Sequence, residues 1–201
     1  MRAMVESAQR RTWPAALLIA VGFVAVLWFL EVVDQTSPRQ LDAEGIRPRS
    51  SDGLSGILLA PLLHGGYDHL AANSVPTLVF LFLVLLGDLA RGLVATLIIW
   101  MTAGVGTWII APPMTVHVGA SGLIFGWLTY LLLRGFFARR LWQIALGVVL
   151  FVIYGGLLWG VLPGQPGISW QGHLFGAIGG VIAARVLGVR DRRPSAAQAR
   201  W

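Results

Sequence analysis

The sequence predicts an all-α membrane protein, a bundle of six transmembrane helices. Three observations carry this expectation. Of 201 residues, 56% are hydrophobic and 12% are charged, with a mean hydropathy of +0.73, whereas a soluble domain carries charge on roughly 25% of its residues. Six apolar runs approach the length of about 20 residues that a helix needs to cross a bilayer. The charged residues fall between those runs or, as Glu31, Arg134 and Arg185 do, within a turn of a run's end. All 15 basic residues are Arg, and their scatter between apolar runs argues against nucleic acid as a partner, which needs a clustered basic face. Cysteine is absent, so neither a disulfide nor a thiol nucleophile is available.

The first span is expected at 13–33. It exceeds the apolar core of about 7–15 residues found in a secretory signal, and no small-residue cleavage site follows it. Pro14 suits its first helical turn, where a missing N–H costs nothing. Residues 1–12 form a short polar segment before it. The connection over 34–63 is long, and its second half, 54–63, is apolar but too short to cross. That half is expected to lie partly submerged in the outer leaflet, as an interfacial or re-entrant segment. Span 2 follows at 69–87 after the glycine-containing turn His64-Gly65-Gly66-Tyr67-Asp68. Span 3, at 92–111, is stopped by Pro112-Pro113. Span 4 is expected at 119–137 and span 5 at 141–161. Pro163-Gly164-Gln165-Pro166-Gly167 separates span 5 from span 6 at 168–188. Residues 189–201 read as a polar, disordered tail. No internal repeat or second soluble domain is visible, so 13–188 is expected to form one domain.

Charge sets the orientation. With a cytoplasmic N-terminus, 12 of the 15 arginines fall on the cytoplasmic side, and only Arg39, Arg47 and Arg49 fall outside. This follows the positive-inside rule, and six spans return the C-terminus to the cytoplasm.

Under this orientation the polar residues that a membrane tolerates least gather on one side. His64 and His69 lie at the start of span 2, His117 just before span 4, and His173 about one and a half turns into span 6. Asn73 and Ser121 join them near the outer ends of spans 2 and 4. Polar groups at membrane depth are expensive and point to function by default. His69 and Asn73, four apart, share one helix face. Gly122 and Gly126 on span 4, and Gly172, Gly176 and Gly180 on span 6, form small-xxx-small faces that let helices approach closely. Ser121 sits one residue before the first set, and His173 one residue after the start of the second. If the faces meet, hydroxyl and imidazole come within hydrogen-bond reach, the minimum apparatus for nucleophilic catalysis. His69, Asn73 and the Ser121 backbone N–H would then be donors to a developing oxyanion. Each residue also has an ordinary reading: a small residue packing helices, an interfacial histidine, or an amide bonded to a neighbouring helix. From the residues alone both readings stand. So does a metal site or transporter built on the four histidines, which suit zinc, copper or nickel. The usual zinc-protease helix motif is absent.

Three motifs resemble those of the rhomboid intramembrane serine proteases, in their minimal six-span bacterial form. They are His64-x4-His69-x3-Asn73, Gly119-Ala120-Ser121-Gly122, and Gly172-His173-x2-Gly176-x3-Gly180. The resemblance implies a rhomboid-like bundle with a partly submerged first loop. Ser121 would be the nucleophile and His173 the general base, with no carboxylate as third member. His69 and Asn73 would help bind the oxyanion. His64 would be a structural member of the polar cluster, Gly119 would leave space above the hydroxyl, and Phe125 would pack on the base. The resemblance also implies transmembrane protein substrates cleaved near the outer boundary of a bacterial plasma membrane, with both termini cytoplasmic and with neither cofactor nor metal. A catalytically silent relative that grips membrane helices is the alternative. One departure stands out. Many family members carry a Trp-Arg pair in the first loop where this chain has Ser55-Gly56, so the loop must be anchored differently here. His117 matches no family motif and is read as a loop residue near the site.

Overall fold

The computed structural model describes residues 2–38 and 40–190, and the expected polar tail lies outside the described residues from 191 onward. Among the described residues the fold is all-helical, apart from an isolated bridge between Ile46 and His117. The elements are α1 (Arg2–Thr36), a first loop containing the four-residue α2 (Gly56–Leu59), then α3 (Tyr67–Leu85), α4 (Leu89–Ile110), α5 (Ser121–Ala138), α6 (Leu141–Tyr154) and α7 (Trp170–Arg190). A 3-10 turn, Gly155–Val161, prolongs α6. Six of these segments are long and apolar enough to cross a membrane: Thr12–Thr36, Tyr67–Leu85, Leu89–Ile110, Ser121–Ala138, Leu141–Val161 and Trp170–Val189.

The six expected spans therefore stand, with shifts of a few residues at their ends. Two shifts matter. Helix α1 begins at Arg2, so Pro14 lies inside it rather than in its first turn. It does so because a helix can continue into the polar residues before the apolar run. Helix α7 begins at Trp170, which puts His173 in its first turn rather than one and a half turns in.

The core is built around α5. Trp127, Leu123, Leu128 and Leu131 on α5 are almost fully buried, together with Phe80 and Leu85 of α3, Ile99 of α4, and Ala183 and Ala184 of α7. Helix α7 packs chiefly against α5 and α4. The glycine faces meet as their spacing predicts. A Cβ on Gly176 would overlap the carbonyl oxygen of Gly122, and one on Gly180 that of Gly126. Only bare backbone permits this approach. Many large side chains of α1 and α6 point outward, including Leu18, Phe29, Val152 and Ile153. Outward apolar residues are what a lipid-facing helix presents.

The first loop is pinned without a Trp-Arg pair. Two tryptophans of α4 reach it instead: Trp100 Nε1 donates to the carbonyl of Ile57 and Trp108 Nε1 to that of Ser50, each at 3.0 Å. Arg49 donates to the Ile109 carbonyl at 2.8 Å. At the departed position, a Cβ on Gly56 would overlap the Gly45 backbone. A bulky residue there is thus incompatible with the packing of this loop. Helix α2 turns Gly56 and Ile57 inward and leaves Leu58 and Leu59 exposed, as expected of a segment lying partly in lipid.

Candidate active site

Ser121 is the first residue of α5. The N–H groups of a first helical turn have no intrahelical acceptor, and the positive end of the helix dipole lies there. The Ser121 hydroxyl is 2.8 Å from Nε2 of His173. On its other side, His173 Nδ1 is 2.9 Å from the carbonyl oxygen of Gly160, in the turn after α6. A carbonyl only accepts, so Nδ1 carries the proton. In the neutral ring Nε2 is then the acceptor for the serine O–H. The Phe125 ring stacks on the imidazole at a centroid distance of 4.0 Å and an interplanar angle of 10°. The His173 imidazole is therefore held at both nitrogens and on one face.

Gly119 has φ +116°, a left-handed conformation that favours glycine. A Cβ there would lie 2.7 Å from Cε1 of His69, so the missing side chain is what admits the His69 ring beside Ser121. That ring makes no hydrogen bond among the described residues. It packs edge-on against His64 at 5.1 Å. His64 is 1% exposed, and its Nε2 accepts the backbone N–H of Ala120 at 3.3 Å. His64 thus steadies the residue before Ser121. Burial first, and the neighbouring His69 second, lower its pKa to about 4, so it is neutral. Its Nδ1 is buried and has no partner among the described residues. Asn73 is turned back on its own helix, donating Nδ2–H to the His69 carbonyl at 3.0 Å, which leaves one amide N–H unspent.

A cavity of about 780 Å³ adjoins these groups, lined among others by His69, Asn73, Ser121, Phe125, Gly160 and His173. It far exceeds the ~30 Å³ that one water takes in the liquid. Pro76 on its wall cannot donate to the carbonyl of Ala72, another residue of the lining. A second space of about 30 Å³ lies behind Ser121, bounded by Thr107, His117 and Ser169 among others. Six predicted residues, His64, His69, Asn73, Ser121, Phe125 and His173, thus gather with Gly119 at one end of the bundle. Gly160 escaped the sequence reading, since a backbone carbonyl leaves no residue-type signal.

The model of the Rhomboid domain family matches residues 51–190. The chain belongs to the rhomboid family. Among its relatives, the uncharacterized protein Rv1337 of Mycobacterium tuberculosis is 46% identical over 199 residues, covering 95% of this chain and 83% of that one. The uncharacterized protein ML1171 of Mycobacterium leprae is 44% identical, covering 95% and 79%. The putative rhomboid protease YdcA of Bacillus subtilis is 32% identical over 131 residues, 62% of this chain and 63% of its own length. As a rhomboid with six membrane-crossing segments, the chain is an integral membrane protein.

Proposed function

We propose that this rhomboid is an intramembrane serine endopeptidase that cleaves transmembrane-helix substrates near the outer membrane boundary. The catalytic unit is the domain over 13–188, in a bacterial plasma membrane with both termini cytoplasmic. The observation that carries the reading is the 2.8 Å contact between Ser121 Oγ and His173 Nε2, with the opposite nitrogen held by Gly160.

In this reading the Ser121 oxygen attacks the scissile carbonyl carbon while its proton passes to His173 Nε2. The carbonyl electrons move onto oxygen, and that charge meets the Ser121 backbone N–H, the α5 dipole, the His69 ring and the remaining Asn73 N–H. As the C–N bond breaks, His173 returns the proton to the leaving amine. Water from the cavity then attacks the acyl ester, giving its proton to His173, which passes it to the Ser121 oxygen as the ester C–O bond breaks and the acid product leaves. The Gly160 carbonyl takes the part that a carboxylate plays in a triad, fixing the tautomer and partly offsetting the imidazolium charge. Substrate helices must unwind to present a bond, so helix-weakening Gly, Ala or Pro near the outer boundary is favoured.

The histidines lend no support to a metal site. His173 and His117 spend both ring nitrogens on protein partners and His64 spends one.

The test uses purified protein with a fluorophosphonate probe and a model transmembrane substrate. Labelling and cleavage are expected in the wild type, with both lost in Ser121→Ala and in His173→Ala. Equal cleavage by wild type and Ser121→Ala overturns the protease reading. A wild type that binds the substrate helix but neither labels nor cleaves is a silent helix-binding protein.

A further inference from the structure

His117 is the outer-side histidine that the proposed chemistry leaves unused. Its ring nevertheless sits in a saturated chain of hydrogen bonds, and the direction of each bond follows from the donor inventory. Thr115 Oγ1 lies 2.6 Å from the Pro112 carbonyl, which can only accept, so the Thr115 proton goes there. Thr115 Oγ1 must then accept from His117 Nε2–H, at 2.8 Å. In the neutral ring Nδ1 is left as an acceptor, and it faces Ser169 Oγ at 2.8 Å. The Ser169 proton therefore points at His117. Its lone pairs are turned toward the start of α7, where Oγ accepts the Gly172 N–H at 3.3 Å. The Ser169 carbonyl accepts the N–H of His173 itself at 3.1 Å. Ser169 is thus the N-cap of the helix whose first turn carries His173. A cap hydroxyl is a free rotor unless its proton is spoken for, and His117 takes that proton.

The backbone of His117 is equally fixed. Its N–H and carbonyl exchange two 3.0 Å bonds with Ile46 of the first loop. Burial lowers the pKa of His117, which favours the neutral ring that this chain of bonds needs.

We propose that His117 is a positioning residue for the base: by holding the Ser169 cap it sets the N-terminus of α7, and with it the imidazole of His173 against Ser121. The inference rests on Ser121 and His173 acting as nucleophile and base. It adds a residue from outside the three recognised motifs. The ring partners of His117 are Thr115 and Ser169 rather than Ser121 or His173, and although it also lines the cavity beside Ser121, its loss should act on turnover more than on substrate affinity.

The experiment measures the rate of fluorophosphonate labelling of Ser121, together with kcat and KM on a model transmembrane substrate. The variants are His117→Ala, His117→Phe, His117→Asn, Ser169→Ala and the double variant His117→Ala with Ser169→Ala. Misplacement of reacting groups by about 1 Å costs up to ~100-fold, so a slowing of roughly tenfold is expected for His117→Ala, with KM within about twofold of wild type. Asparagine carries an acceptor near the Nδ1 position, so His117→Asn should recover most of the rate. Phenylalanine keeps the ring volume without an acceptor, so His117→Phe should stay slow. The double variant should be no slower than the slower single one, since both act through one contact. Wild-type labelling rates in His117→Ala overturn the proposal. So do multiplying effects in the double variant. Should His117→Ala fail to fold, equal rates for His117→Phe and His117→Asn overturn it instead. Absence of labelling in the wild type overturns the serine-hydrolase reading beneath it, a distinct result.

Discussion

At the scale of single residues, the site depends on histidines kept in one protonation state and one tautomer. His173 is fixed by the Gly160 carbonyl at Nδ1, and His64 by the Ala120 N–H at Nε2. For His64 this has a consequence for stability. Its folded-state pKa of about 4 lies below the value of about 6.5 in an unfolded chain. Below pH 6.5 the unfolded chain takes up a proton that the folded one refuses. The contribution of neutral His64 is therefore fully present above about pH 6.5 and is lost as pH falls toward 4. At pH 5 the loss is at most on the order of 2 kcal/mol. We expect the unfolding temperature in detergent to fall between pH 7 and pH 5, and to fall distinctly less in His64→Gln, whatever that variant's stability at pH 7. An identical acid dependence in both proteins would show that His64 does not carry it.

At the scale of elements, the approach of α5 to α7 decides whether the site exists. Ser121 and His173 each lie in the first turn of a helix, and each helix presents a glycine face to the other. The Gly122 carbonyl occupies the space where a Gly176 side chain would stand. An added methyl must push one backbone away from the other, and backbone cannot swing aside as a flexible side chain can. We expect Gly176→Ala to cost about 1–3 kcal/mol of stability, the usual range for overpacking. Activity should drop more than stability implies, since the same displacement opens the Ser121–His173 contact. Gly22, on α1, has nothing within 4 Å of a Cβ position. Gly22→Ala should be neutral, or stabilising by up to about 1 kcal/mol through helix propensity. Thermal unfolding and probe labelling of the two variants side by side check this. Equal tolerance of both substitutions would mean that the glycine face is not what sets the helix spacing.

At the scale of the whole molecule, what could be read from sequence follows the physics of each feature. Membrane spans are legible because the bilayer imposes length and apolarity on consecutive residues, and all six appear within a few positions. The meeting of α5 and α7 is legible because close backbone approach demands glycine at a fixed period. Helix starts are less so: capping by Ser169 moved the start of α7 past Ile168, and the depth of His173 moved with it. Gly160, the Trp100 and Trp108 anchors of the first loop and the Ser169–His117 pair are tertiary. Each joins residues more than 40 positions apart, or acts through a carbonyl that every residue possesses. Orientation rests on the uneven spread of arginines, which acts during insertion and leaves no contact to inspect. It can be checked directly because the chain has no cysteine, so single-cysteine variants carry one label site each. Met114, fully exposed in the loop before α5, lies on the side of the proposed site. Phe136, 56% exposed near the far end of α5, lies on the opposite side. In intact cells a membrane-impermeant maleimide should label Met114→Cys and leave Phe136→Cys unlabelled until the membrane is opened. The reverse pattern would put Ser121 and His173 near the cytoplasmic face and overturn cleavage at the outer boundary, while leaving the Ser121–His173 chemistry itself intact.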